Sequence, residues 1–207
     1  MMRGVFAFVS RAFVVCLMVF AAGYSLAQEP PKRIRGTIEA ADGNNLTIKT
    51  REGSAVKVVL KENAPVVAVV PASVNDIKPG TYAGITGMPR PDGSQRAVEV
   101  HIFPESMRGV GDGHRPWDLV PESTMTNGNI EQQVAGVEGQ TLKVKYKDGE
   151  KSIEITPKTQ IVAFQPSSRD ELKPGAKIFI AAATKLPDGN YEAARIAYGK
   201  DGLTPPM

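Results

Sequence analysis

The sequence predicts an all-β protein built as two small β-barrels in tandem. Apolar and polar residues alternate with a period of two, which is the pattern of half-buried strands. Short motifs of Gly, Asn and Asp separate these runs and favour hairpin turns. The same order of turns and apolar positions recurs at an offset of about 95 residues, which indicates that one unit has been duplicated.

Residues 1–27 predict a secretory signal peptide. Arg3 and Arg11 are the charged residues of this stretch, and an apolar run over 12–22 leads to a Ser-Leu-Ala ending at Ala27. A basic start, an apolar stretch and a small-x-small ending are typical of a signal cleaved at that point, here after Ala27. An uncleaved anchor is the alternative, but the uncharged run of 16 residues is shorter than the roughly 20 that span a bilayer. We therefore expect an exported, periplasmic protein without stable membrane insertion.

Charge and thiol content exclude several classes of function. Once the signal peptide is removed, 23 of the 25 basic residues remain against 22 acidic ones. This near-neutral balance argues against a nucleic-acid binder, whose affinity depends on neutralising many phosphates. The single cysteine, Cys16, lies inside the signal, so the mature chain has no thiol for catalysis, disulfides or metal binding. The sequence predicts no cofactor.

The first unit begins with a predicted meander. Alternation predicts strands over 33–39 and 46–49, with Asn44 and Asn45 between them and a turn at Glu52-Gly53 after the second. An apolar run over 66–70 predicts a further strand.

The rest of the first unit is predicted to be a short helical turn and a hairpin. Ser73 and Asp76 resemble a weak capping box, and Lys78-Pro79-Gly80 ends that turn. Strands over 82–87 and 97–103 then flank a Pro-Asp-Gly turn.

The second unit repeats this order. Strands are predicted over 142–147 and around 153–155, followed by an apolar run over 161–164. Ser168 and Glu171 form a stronger predicted capping box than their counterparts in the first unit. A second Lys-Pro-Gly and a second Pro-Asp-Gly follow at the corresponding places.

Five or six short strands per unit with one short helical element fit a small closed barrel of the OB type. The predicted organisation is a signal peptide at 1–27, an N-terminal tail at 28–32, a first OB-like barrel at 33–103, a Gly- and Trp-bearing connection at 104–125, a second OB-like barrel at 126–199 and a C-terminal tail at 200–207.

These motifs together resemble a family of exported bacterial domains of unknown function with a predicted OB-like barrel. The resemblance is carried by the glycine and isoleucine of the first strand, the acidic-Gly hairpin, the Lys-Pro-Gly turn and the Pro-Asp-Gly turn before an alanine-bearing strand. It covers most of 33–103 and 126–199 and implies a bacterial envelope protein. It implies no assigned reaction and no catalytic residues.

The connection between the units is the strongest candidate for a binding site. It contains three alternating glycines, one of the two histidines and the only Trp of the chain. Glycine N–H groups and arginines can cradle an anion, and Trp117 offers a stacking face. The structural alternative is that Trp117 and Leu119 plug a groove between the barrels while Arg115 and Asp118 satisfy buried backbone. The candidate ligand- or partner-binding residues are Arg108, His114, Arg115, Trp117 and Asp118.

A metal site is a competing hypothesis. Imidazole and carboxylate groups suit zinc, copper or nickel, and the available residues are His101, Asp112 and His114. Their spacing fits no compact ligand pattern, and alternation with Val100 and Ile102 predicts that His101 points outward.

We therefore expect a non-enzymatic exported protein that binds an envelope protein, a polymer or a small ligand, with the site at the seam between the barrels. The alternative is a metal-handling accessory protein that uses His101 and His114. A hydrolase is the third hypothesis, but no nucleophile elbow, His-Glu-x-x-His or P-loop motif supports it.

Overall fold

The computed structural model describes residues 29–135 and 139–207, so the predicted signal peptide at 1–27 lies outside the described residues. The strands are β1 (Lys32–Asp42), β2 (Asn45–Thr50), β3 (Ala55–Leu60), β4 (Val66–Pro71), β5 (Tyr82–Pro89), β6 (Gln95–Ile102), β7 (Gly113–Pro116), β8 (Thr124–Ala135), β9 (Gln140–Tyr146), β10 (Gly149–Ile155), β11 (Gln160–Ser167), β12 (Lys177–Lys185), β13 (Tyr191–Ala193) and β14 (Ile196–Gly199). Single 3-10 turns occur at Val74–Asp76, Glu105–Met107, Arg169–Glu171 and Lys200–Gly202. The prediction of an all-β protein is confirmed. In the described part of the chain no helix has the length and apolar character to cross a membrane.

Five strands close into a barrel, which we call the first ring. The meander β1-β2-β3 is antiparallel, β3 pairs in parallel with β13, and β12 pairs with both β13 and β1. Closure removes the exposed sheet edges that an open five-stranded sheet would have. The interior is filled by side chains of Ile, Leu, Val and Ala type, including the fully buried Ile34, Ile48 and Val58.

A second set of five strands pairs in the same cyclic order, and we call it the second ring. The meander β8-β9-β10 is antiparallel, β10 pairs in parallel with β6, and β5 pairs with both β6 and β8. Its interior is a separate apolar cluster that includes Ile85, Val100, Leu142 and Ile153, all of them fully buried.

Each ring combines a meander from one half of the chain with a hairpin from the other half. The first ring combines β1–β3 with the hairpin β12–β13, and the second combines β8–β10 with the hairpin β5–β6. The sequence predicts contiguous barrels at 33–103 and 126–199, and the observed arrangement differs because the two hairpins are exchanged. The exchange follows from β4 and β11, which leave their own meanders and pair with each other antiparallel. The hairpin that follows each of these strands therefore reaches the meander of the other half.

The Lys-Pro-Gly turns fix the exchanged hairpins in place. Gly80 and Gly175 have φ values of +86° and +91°, which glycine adopts readily. The N–H of Gly80 donates to the carbonyl of Ile130 at 2.8 Å, and the N–H of Gly175 donates to the carbonyl of Ile38 at 2.8 Å. Each turn that starts an exchanged hairpin is thus bonded to the first strand of the meander that receives it.

The central strands create a seam with its own core. Side chains alternate across β4, so that Val66 and Ala68 face the first ring while Val67 and Val69 face the seam. Phe164 of β11 lies on the same seam face. This third cluster also contains Tyr82, Phe103, Met107, Val162, Phe179, Ala197 and Met207.

The capping box forms at the other short helical turn than the sequence favours: it is present at Ser73 and absent at Ser168. Ser73 donates through its backbone N–H and its Oγ to Asp76 Oδ2, each at 2.8 Å. The Ser168 side chain makes no such cap bond. The turn at Ser168 is instead held by Arg169, whose guanidinium donates to Asn44 Oδ1 and to two backbone carbonyls of the loop after β3.

Candidate functional site

A cavity of about 390 Å³ lies at the seam between the two rings. Its size is within the range of small-molecule sites. The lining residues come from the central strands, from both exchanged hairpins, from β8 and from the connection that precedes it. Apolar side chains dominate the wall, namely Val67, Phe103, Met107, Val110, Met125, Phe164 and Phe179 with four alanines.

Two corresponding cross-strand rows each contribute residues to the wall. In the second ring, Asn127 of β8 lies opposite Gly84 of β5, which lies opposite His101 of β6. In the corresponding row, Arg35 of β1 lies opposite Phe179 of β12, which lies opposite Ala197 of β14. The ring-bearing residue is His101, on the last strand, in one row and Phe179, on the middle strand, in the other. The two rows are therefore chemically different.

His101 is buried in this wall, with 5% of its surface exposed. The prediction that it points outward is wrong, because the second face of β6 is covered by the seam and does not meet solvent. The ring packs between Phe103 and Phe164, with centroid distances of 4.9 and 5.1 Å. Gly84 makes room for it, since a Cβ there would lie 2.1 Å from His101 Nε2.

A buried carboxylate orients the His101 ring. Glu99 is 1% exposed, and both of its oxygens lie 3.2 Å from His101 Nδ1. The Thr86 hydroxyl donates to Glu99 Oε1 at 2.6 Å. With Glu99 ionised, Nδ1 must carry a proton, because a carboxylate only accepts hydrogen bonds. This arrangement leaves Nε2 as the polar end of the ring on the side of Gly84 and Asn127.

The connection covers the cavity and brings Trp117 and Arg115 into its wall. The Trp117 ring stacks against the Arg33 guanidinium, whose carbon lies 3.9 Å from the ring centroid, and meets Phe179 edge-on. Arg115 donates to the carbonyl of Gly111 at 2.7 Å. Burial, followed by the nearby charge of Arg33, lowers the pKa of the Arg115 guanidinium. Part of the connection is strand β7, which pairs with β8.

Three buried polar atoms at the cavity lack a hydrogen-bond partner among the described residues. They are Trp117 Nε1, Asn127 Oδ1 and Arg195 Nε. Asn127 is 4% exposed, and its amide nitrogen donates to the carbonyl of Val110 at 3.0 Å. A buried polar atom without a partner costs free energy, and all three atoms belong to residues that line the cavity.

Asp118 lies outside the cavity wall and is paired. Its carboxylate accepts from Arg35 at 2.7 Å and lies 3.6 Å from Arg33. Burial opposes ionisation of Asp118, but the hydrogen bond from Arg35 and the charges of both arginines keep its pKa below the usual value. These ion pairs fasten the connection to β1, so Asp118 positions Trp117 from outside. The sequence-based alternative, in which Asp118 satisfies buried backbone, is replaced by this ion pairing.

Two other predicted binding residues lie away from the cavity. Arg108 pairs with Glu105, donates to the carbonyl of Gly80 at 3.0 Å and bonds Asn129. His114 bonds the Thr126 hydroxyl at 2.8 Å through Nδ1 and stacks on Tyr146. The structure therefore retains Arg115 and Trp117 in the candidate site and removes Arg108 and His114 from it.

The hypothetical metal site is not assembled. His101 faces the seam and contacts Glu99, while Asp112 accepts from the backbone N–H of Lys147 at 2.7 Å. Within residues 29–135 and 139–207, no group of three His, Cys, Asp or Glu side chains is placed to hold an ion. His101 and His114 belong to different local contacts, as described above.

Sequence reasoning missed Asn127, Arg195 and the phenylalanines Phe164 and Phe179. Arg195 lies between β13 and β14, close to the buried Ala193 and Ile196, at the position where the first unit has Glu99. A charged residue at a position flanked by core residues is a signal for this site. The phenylalanines gave no such signal, because an apolar residue on a strand does not reveal which of two apolar clusters it joins.

No family model, curated protein or solved structure matches the chain.

Proposed function

We propose that this protein is an exported, non-enzymatic binding protein, built from a duplicated OB-like unit, that holds a small ligand in the seam cavity. The observation that carries the proposal is the seam cavity itself, in which apolar walls surround three unpartnered buried polar atoms. Such a mixture of apolar surface and few convergent polar groups is characteristic of ligand sites.

Duplication is supported by the equal cyclic order of the two rings and by the matched turn bonds at Gly80 and Gly175. The OB-like assignment is supported by five strands per ring with one parallel closure. Export is supported by the signal-like sequence of residues 1–27. N-terminal sequencing of the exported protein is expected to start at Gln28, and a start at Met1 would contradict cleavage.

A binding role is favoured over catalysis by the chemistry of the wall. None of the described lining residues carries a hydroxyl, thiol or amino group that would serve as a nucleophile. The Glu99–His101 pair is the acid/base element of the site, and it has no such group beside it. We assign this pair to positioning of the wall.

The test is to identify what the cavity holds. The protein is purified under native conditions from a periplasmic extract, and its organic extract is analysed by mass spectrometry. A bound compound is expected in the wild-type protein and is expected to be lost in Ala194→Trp, because Ala194 lies in an exposed part of the wall where the indole would fill the cavity.

Ala40→Trp is the matched control, since Ala40 is an exposed residue of β1 outside the cavity. It should retain the compound. Recovery of the wild-type protein without any compound, or of the same compound from Ala194→Trp, would contradict binding in this cavity.

A further inference from the structure

We propose that the ligand of the seam cavity is a small amphipathic monocarboxylate, with an apolar body and one carboxylate head. This inference rests on the proposed binding function and adds the chemical class of the ligand. It follows from the shape of the apolar wall and from the sign of the charges that line it.

The apolar body of the ligand would lie against the aromatic part of the wall. Phe103 and Phe164 meet edge to face with a centroid distance of 5.3 Å, and Phe179 extends the surface towards Trp117. Burying an apolar chain against such surfaces is favourable in proportion to the apolar area removed from water, whatever the head group. The wall thus provides affinity for an apolar skeleton, and the polar groups select its head.

The charged side chains that line the cavity belong to arginines. Arg115 and Arg195 line the cavity, and none of the described lining residues is acidic. No ion pair of the described chain involves either arginine. Arg33 and Arg35, by contrast, both pair with Asp118. Two uncompensated guanidinium groups in a mostly apolar cavity attract an anion and repel an ammonium group.

A planar carboxylate matches the donors that remain free. Arg195 has an unpartnered Nε, and Trp117 Nε1 is a second unpartnered donor. A guanidinium presents its N–H groups in a plane that fits both oxygens of a carboxylate. Glu99 does not compete for these donors, because its oxygens are occupied by Thr86 and His101.

The experiment compares three probes with the same skeleton: octanoate, octanamide and octylammonium. Binding to the ligand-stripped full-length mature protein is followed by calorimetry and by the emission of Trp117, which is the only Trp in the chain. Octanoate is expected to bind at least tenfold more tightly than octanamide, and octylammonium more weakly than both. Arg195→Gln is expected to lower octanoate affinity about tenfold or more and to leave octanamide affinity unchanged.

Arg96→Gln is the matched control for loss of one positive charge, since Arg96 is exposed and pairs with Glu154 away from the cavity. It should retain the preference for octanoate. Equal affinity for octanoate and octanamide, a preference for octylammonium, or no binding of any probe would overturn the carboxylate assignment. The proposed binding function is judged separately by the compound that co-purifies and by its loss in Ala194→Trp.

Discussion

At the scale of single residues, the seam depends on a close fit between His101 and a glycine. Gly84 and His101 lie directly opposite each other on β5 and β6. A Cβ on Gly84 would come within 2.1 Å of His101 Nε2 and 2.7 Å of Asn127 Oδ1. The His101 and Asn127 side chains can therefore both pack against the backbone of Gly84 only because this residue has no side chain.

Gly84→Ala is expected to destabilise the protein by about 1–3 kcal/mol, because the new methyl group overpacks a buried site. The cost should fall by about 1 kcal/mol or more when His101→Ala is also present, since the main clash is then removed. Urea unfolding of the two single variants and the double variant measures this coupling. His114→Ala is the control background, because His114 contacts Thr126 and Tyr146 instead. Equal costs of Gly84→Ala in all backgrounds would contradict the contact.

Some residues of the candidate site can be predicted from the sequence, and others cannot. Trp117 and Arg115 are predictable, because a lone Trp and an arginine stand out in a glycine-rich connection. The direction of His101 is not predictable from alternation, because a period of two separates the two faces of a strand without saying what covers each face. Val100 lies on the ring face of β6 and His101 on the seam face, and both faces are buried.

At the scale of elements, the first strand of each meander must bend to close its ring. β1 pairs with β2 and β12, and β8 pairs with β9 and β5. Each contains a register shift against the next strand, after Ile38 and after Ile130 respectively. Each also has a glycine where the neighbouring backbone comes close. A Cβ on Gly36 would lie 2.2 Å from the carbonyl oxygen of Lys49, and one on Gly128 would lie 2.4 Å from that of Lys145.

Gly36→Ala and Gly128→Ala are therefore each expected to cost about 3 kcal/mol, since the clash is with backbone that cannot rotate away. Gly53→Ala is the comparison, because Gly53 has a φ of +89° but open space around it. Its cost should be only the conformational strain of about 1–2 kcal/mol. The free energies of unfolding in urea show which of the three variants loses most stability. A larger cost at Gly53 than at Gly36 or Gly128 would show that close approach is not the requirement.

The strands themselves are largely predictable, and their partners are not. Alternation and turn motifs locate the hairpins, since each pattern depends on neighbouring residues. The turn at Lys78-Pro79-Gly80 predicts a change of direction, but it contains no information about which meander receives the next strand. That choice depends on the pairing of β4 with β11, which are about 95 residues apart in the sequence. Pairing between such distant residues cannot be predicted from the local sequence pattern.

At the scale of the whole molecule, exchange of the hairpins joins the two rings into one unit. Separating the residues before and after the connection would break the pairs β1–β12 and β3–β13 in the first ring and β5–β8 and β6–β10 in the second. It would also break the central pair β4–β11. Contiguous barrels joined by a linker would lose only contacts at the seam.

This difference predicts the result of cutting the connection. A protease recognition sequence is inserted between Pro121 and Glu122, which lie in an exposed turn closed by the bond from the N–H of Ser123 to the carbonyl of Val120. After cleavage, the two fragments should elute together in size-exclusion chromatography at micromolar concentration. They should separate only in denaturant, because each ring needs strands from both fragments.

The uncut insertion variant is the control, and its unchanged unfolding midpoint would show that the insertion itself is tolerated. Two folded fragments that elute separately after cleavage would contradict the exchange and support contiguous barrels. Joint elution also has a consequence for the cavity, since its walls come from both fragments and from the connection. The cut protein should therefore keep Trp117 packed near Phe179, and its emission should match that of the uncut protein, because the ion pairs of Asp118 with Arg33 and Arg35 still fasten the cut end to β1.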